Sequence, residues 1–401
     1  YKFAPITTTT TIASQFLSGT EDYSTTMTGK RAESQTLLLY ILIPIVTAVI
    51  VTVIVFIIVW RCKLFCFKQK WTVCPVLDFD EDDHDVTPLT IDLLVIKVVR
   101  MTFGAANLKF LSWRVLWSEV KSENRDENRP FPYKKLDENK YHRRTIPLEP
   151  MTSLQVVRLH GNVINTRLND KYLVLQSPTS KSDEHADTRE EFFSLILKED
   201  IQYVMVVGTA SSVDAYCEEM VGGVFTTVDY RCETLLSEPF SATVTDVNIK
   251  RLRITLSNKG KVIATRTVCQ INFPNWTDDV WPTTYDTLYD VHNLVTSSPK
   301  PIIVHSTTGI GPVMGLVGLR FCSQLMEIRE EYTFDAVFRK LIKRRYCSFN
   351  DAQCIGWLEV GVMYFLTRKH RLETFMFNNN NQMFQNMVTN GEGIPEELRG
   401  T

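Results

Sequence analysis

His305, Ser306, Thr307, Thr308, Gly309, Ile310, Gly311 and Pro312 lie inside the segment PIIVHSTTGIGPVMG, Pro301 to Gly315. The apolar Ile302–Val304 before them reads as a buried strand, and Val313–Met326 after them as a helix. The glycine-containing loop therefore closes on a helix N-terminus. Such a strand–loop–helix is an anion cradle, because backbone N–H groups and the positive end of the helix dipole converge on a phosphate-sized volume. A hydroxyl such as Ser306 becomes a nucleophile only with a base beside it, and the sequence places none there.

Two other groups of reactive residues invite chemistry and are read more simply. Asp78, Asp80, Glu81, Asp82, Asp83 and Asp85 surround His84. They lack the loop glycine and spaced terminal Glu of a calcium hand, so a solvated linker is expected and no metal site. Cys62 and Cys66 are placed for S-palmitoylation, or stand as spare thiols. No cofactor is expected.

The elements that must hold the loop are mixed. Tyr203–Val207, Arg251–Leu256 and Ile302–Val304 are β-rich runs. They alternate with helical segments at Arg189–Lys198, Thr283–Thr296, Tyr332–Ile342 and Asp351–Leu366. Leu108, Leu111, Val115 and Trp117 recur at helical spacing from Leu108 to Val120. The expected architecture is one α/β domain over residues 107–370, with a polar, disordered tail over 371–401.

Composition narrows the function. The chain has 401 residues, with 44 Lys+Arg against 46 Asp+Glu, a balance that excludes nucleic-acid binding by bulk charge. Leu37–Trp60 runs 24 residues without one charge. As a helix it would span about 36 Å, enough for a hydrocarbon core of about 30 Å. Arg61, Lys63, Lys68 and Lys70 follow it directly, so the C-terminal side is expected in the cytoplasm. All 9 cysteines also lie beyond this segment, as suits a reducing compartment. Residues 1–36 hold 14 Ser or Thr and read as an extracellular stalk. With no leader before Tyr1, the chain reads as a processed or truncated product. The expected arrangement is stalk, transmembrane helix (37–60), cytoplasmic juxtamembrane segment (61–106), α/β domain and tail. That describes a single-pass type I protein of the plasma membrane.

The loop resembles the phosphate-binding signature of protein tyrosine phosphatases, His-Cys-Ser-Ala-Gly-X-Gly-Arg-Thr-Gly. Without gaps, His305 matches the His, Ser306 the nucleophilic Cys, Gly309 and Gly311 the two loop glycines, and Pro312 the Arg. Trp276 to Pro282, WTDDVWP, resembles the mobile acid loop, with Asp278 at the general acid. Asn139-Lys140-Tyr141 resembles the start of the substrate-recognition loop, and Tyr141 would stack an aromatic ligand or pack against the rim. Gln176-Ser177-Pro178 resembles Gln-Gly-Pro, Glu190 to Phe193 the Glu-Asp-Phe-Trp of the next helix, and Asp351-Ala352-Gln353 the C-terminal glutamine loop. The resemblance implies a central mixed, twisted sheet flanked by helices.

It also implies a receptor-type member that has lost its chemistry. A loop Cys reaches the thiolate near neutral pH because the loop field lowers its pKa, and Ser306 has no comparable route. Pro312 in place of Arg deletes the bidentate cation that holds phosphate, and one backbone N–H with it. Ser306, Pro312, Asp278 and Gln353 are then vestigial positions. The expected function is a membrane-tethered pseudophosphatase scaffold for a cytoplasmic protein partner. The alternatives are a residual phosphotyrosine-binding module and an active phosphatase.

Overall fold

A computed structural model describes residues 86–101, 106–123, 159–182, 186–209, 215–277, 279–345, 348–349 and 351–390. The chain divides into units 1–70 and 71–401, and every described residue belongs to the second. The expected stalk, the span Leu37–Trp60, Tyr141 and Asp278 lie outside the described residues. Among the described residues no helix is long and apolar enough to cross a membrane.

The strands are β1 (Gly161–Asn165), β2 (Lys171–Gln176), β3 (Tyr203–Val207), β4 (Val224–Thr226), β5 (Tyr230–Ser241), β6 (Val244–Asn258), β7 (Lys261–Phe273) and β8 (Ile302–Ser306). They form one eight-stranded sheet in the order β1-β2-β8-β3-β7-β6-β5-β4. β2, β8, β3 and β7 run parallel at its centre. β1 on one side, and β6, β5 and β4 on the other, are antiparallel.

Two-residue alternation sends side chains to two separate cores. Tyr172, Val174, Met205, Val207, Ile302 and Val304 face the larger one. Leu173, Leu175, Val204, Val206 and Ile303 face the smaller one, which is capped by Phe192, Phe193 and Ile196 of α3 (Arg189–Lys198). Central strands buried on both faces read as continuous apolar runs, and this explains YLVL, YVMVV and IIV.

The larger core lies under α1 (Ile91–Arg100), α2 (Ala106–Glu123), α4 (Asp286–Val295), α5 (Pro312–Met326), α6 (Phe334–Ile342), α7 (Ala352–His370) and α8 (Phe375–Asn390). Local signals set their ends. Thr333 caps α6 by accepting the Ala336 amide, and Asp351 caps α7 by accepting that of Cys354 at 2.9 Å. Arg368, Lys369 and His370 sit in the last turn of α7, where the helix dipole favours cations.

Four expectations need correction. The tail is not disordered over residues 375–390: α8 buries Phe377, Phe384 and Met387 against the larger core. Part of the expected juxtamembrane segment belongs to the fold, because Val98 of α1 packs on that core, Leu94 is buried, and Lys97 Nζ donates to Met326 O at 2.8 Å. β6 begins well before Arg251, at Val244, and ends two residues after Leu256. α5 begins at Pro312 rather than Val313, since proline's fixed φ suits the first helical position.

Candidate functional site

β8 delivers His305 and Ser306 to its C-terminal end, and α5 begins six residues after Ser306. Gly309 and Gly311 take φ of +67° and +61°, the left-handed region that lets the chain turn back so tightly. At Gly309 a side chain is also excluded by space: a Cβ there would lie 2.6 Å from Leu175 O.

The buried Ser306 sits at the floor of a cavity of about 110 Å³, with Thr307, Thr308, Trp276 and Pro312 among its walls. Among the described residues, none lining it carries a charge. Its volume is below the roughly 300–1,000 Å³ of ordinary ligand pockets.

The expected cradle is largely closed on itself. The Gly309 amide donates to Ser306 Oγ at 3.0 Å, and the Gly311 amide donates to Ser348 O at 2.9 Å. Pro312 has no N–H to offer. Ser306 O is held by the Ser177 amide at 2.7 Å, which fixes the strand end.

His305 is no base for Ser306. Its ring is buried, with Nδ1 2.9 Å from Ser177 Oγ and Nε2 2.9 Å from Tyr216 OH. Phe192 meets it edge-on at 5.5 Å. Burial pushes its pKa down to about 3, so both nitrogens of a neutral ring are occupied.

Sequence reasoning missed the residue that holds the loop from behind. Arg345 is 1% exposed, and its Nε donates to Gly309 O at 2.6 Å. Its Nη1 donates to Asn162 Oδ1 at 2.6 Å, and Nη2 lies 3.4 Å from His160 Nδ1. Desolvation lowers the guanidinium pKa to about 9. This positive charge beside the loop is thus buried against a carbonyl, an amide and an imidazole. In the sequence, KRRYC reads as a surface run and carries no sign of this burial.

Gln353 lines a second cavity of about 180 Å³, together with Asp279, Trp281, Trp357 and Phe384, and no described residue lines both this and the Ser306 cavity. Trp281 accounts for part of the separation. Its ring centroid lies 4.8 Å from that of Trp357 and 5.5 Å from that of Trp276. It also packs so closely on α5 that a Cβ at Gly315 would fall 2.5 Å from it. The turn carrying these rings is closed by the Thr277 amide donating to Val280 O at 3.0 Å.

A strand–loop–helix of this form at the end of a parallel strand, under an aromatic loop, defines a protein tyrosine phosphatase fold. The family model of the protein-tyrosine phosphatases matches residues 134–359, more than half of the chain, which therefore belongs to that family. The solved protein tyrosine phosphatase TbPTP1 of Trypanosoma brucei is similar at 14% identity, with a TM-score of 0.56 over 70% of this chain and 99% of its own. TcPTP1 of Trypanosoma cruzi is similar at 15% identity, with a TM-score of 0.56 over 70% of this chain and 96% of its own. At such identity these two speak for the fold alone. No curated protein matches the chain.

Proposed function

We propose that this chain is a single-pass, receptor-type membrane pseudophosphatase. Its phosphatase-like domain faces the cytoplasm and acts as a tethered scaffold for a protein partner. The observation that carries the reading is that no described residue lining the Ser306 cavity carries a charge. A phosphate dianion is costly to desolvate without a cation to meet it. The charge that could serve, Arg345, is directed at Gly309 O and Asn162. Ser306 Oγ is occupied by its own loop, and His305, bonded at both ring nitrogens, gives it no base. The tether rests on the uncharged Leu37–Trp60 and the basic residues after it.

Isothermal calorimetry with a phosphotyrosine peptide tests the reading. No saturable heat is expected. Saturable binding that Pro312 and Ser306 substitutions abolish would favour a phospho-ligand module instead. The tether is checked by protease protection on sealed cells, where a C-terminal tag should survive external protease.

A further inference from the structure

The face of the sheet that carries the smaller core changes character partway along β6 and β7. Leu252, Ile254 and Val268 are buried in that core. Further along the same alternation, Lys250 pairs with Gln270 and Asn248 with Asn272. Four polar side chains thus replace the apolar ones on adjoining strands, while Ile249 and Ile271 between them pack into the larger core.

These four floor a cavity of about 400 Å³. That is within the roughly 300–1,000 Å³ typical of small-molecule sites. It adjoins the Ser306 cavity, sharing Gly208 and Thr209 with it, but its four polar floor residues do not line that cavity, so their ligand does not depend on the pseudophosphatase reading. Lys250 is 4% exposed and Gln270 5% exposed, so both are held where water is scarce. Gln270 is oriented by two bonds: Cys217 Sγ donates to its Oε1 at 3.4 Å, and its Nε2 donates to Asn272 Oδ1 at 2.7 Å. With Asn272 Oδ1 engaged, its NH₂ group is left as a donor.

Lys250 Nζ meets Glu219 Oε1 at 2.5 Å, yet the Glu219 side chain is 74% exposed. A buried ammonium is therefore answered by a carboxylate that reaches in from solvent. A buried cation needs an anion, whereas a largely exposed carboxylate gains little from the pairing and exchanges readily. Glu238 also borders the cavity, but it pairs in register with Ile249, so its carboxylate belongs to the opposite face. When Glu219 swings out, Lys250 is the charge among the described residues that faces the space.

We propose that this cavity is a binding site for a small organic carboxylate. Lys250 takes the carboxylate in place of Glu219, and the Asn248 and Asn272 amides take the ligand's further polar groups.

Calorimetry on the full chain tests this with L-glutamate as the probe and inorganic phosphate as the contrast. Wild type should bind L-glutamate saturably in the millimolar range and bind phosphate more weakly. Glu219→Gln, which removes the internal competitor, should tighten binding by about three- to tenfold, and Lys250→Met should weaken it by at least about tenfold. Asn248→Ala, at a half-buried position that threatens the fold less, should weaken it by about threefold. Absence of saturable heat in both wild type and Glu219→Gln would overturn the proposal. So would undiminished binding by Lys250→Met, or phosphate binding as tightly as L-glutamate.

Discussion

Ser306 Oγ accepts the Gly309 amide at 3.0 Å, so the first residue of the loop occupies a donor that an open cradle would direct at phosphate. Gly311 gives its amide to Ser348 O, and Arg345 draws Gly309 O the other way. The loop keeps its turn because these bonds satisfy it internally. On the proposed reading, the same bonds leave the loop without donors for an anion.

Removal of one ring tests the packing of α8. Phe384 is 4% exposed, and its ring stands edge-on to Trp113 at 5.8 Å. Phe384→Ala should lower stability by about 3 kcal/mol, as expected for a buried phenyl group. Chemical denaturation reads this as a lower midpoint at unchanged slope. An unchanged midpoint would mean that the tail does not pack as described.

The acid side of the stability profile follows from two buried histidines. Burial lowers the pKa of His305 from 6.5 to about 3. It does the same for His292, aided by the nearby Arg320 charge. Between pH 6.5 and 5 the unfolded chain takes up these protons and the folded chain does not. Stability must therefore fall as pH falls through that window. Urea titrations at several pH values should show the slope, and His305→Gln should flatten it by about one proton. A slope unchanged by that substitution would contradict the buried, neutral imidazole.

Gly315 lies under the Trp281 ring, where a methyl group would fall 2.5 Å from it. Gly315→Ala should cost about 1–3 kcal/mol and shift the tryptophan emission as the ring moves. Combined with Trp281→Ala, the glycine change should cost much less, because the clashing ring is gone. Equal costs in both backgrounds would show that Trp281 does not rest on α5.

Much of the fold is legible in the sequence because its strongest signals are local. Tyr203–Val207 and Arg189–Lys198 are the observed β3 and α3 to the residue, as apolar runs and amphipathic spacing there agree with the tertiary environment. β6 reads short in the sequence because Asn248 and Lys250 interrupt its apolar alternation while flooring a polar cavity. The tail misleads through its asparagines: Asn378 to Asn381 look like low complexity, yet Phe377 and Phe384 bracket them one heptad apart and face the core. At the site, the loop from Ser306 to Pro312 is evident from its glycines and the helix that follows. Arg345, Ser348 and Tyr216 are not, since their roles arise from contacts across the fold that no spacing encodes.

Turnover of a small aryl phosphate by wild type, Ser306→Cys, Pro312→Arg and the double variant tests the central claim most directly. Ser306→Cys alone should stay silent, since the thiol would lack the cation that lowers its pKa and the clamp that positions phosphate. Loss of one transition-state donor costs roughly 10²–10³ in rate in a protease, and a bidentate cation should count for at least as much. The double variant should exceed either single change while remaining weak, because the Gly311 amide is still tied to Ser348. Robust hydrolysis by wild type, or by Ser306→Cys alone, would show that another residue supplies the charge and would contradict the account.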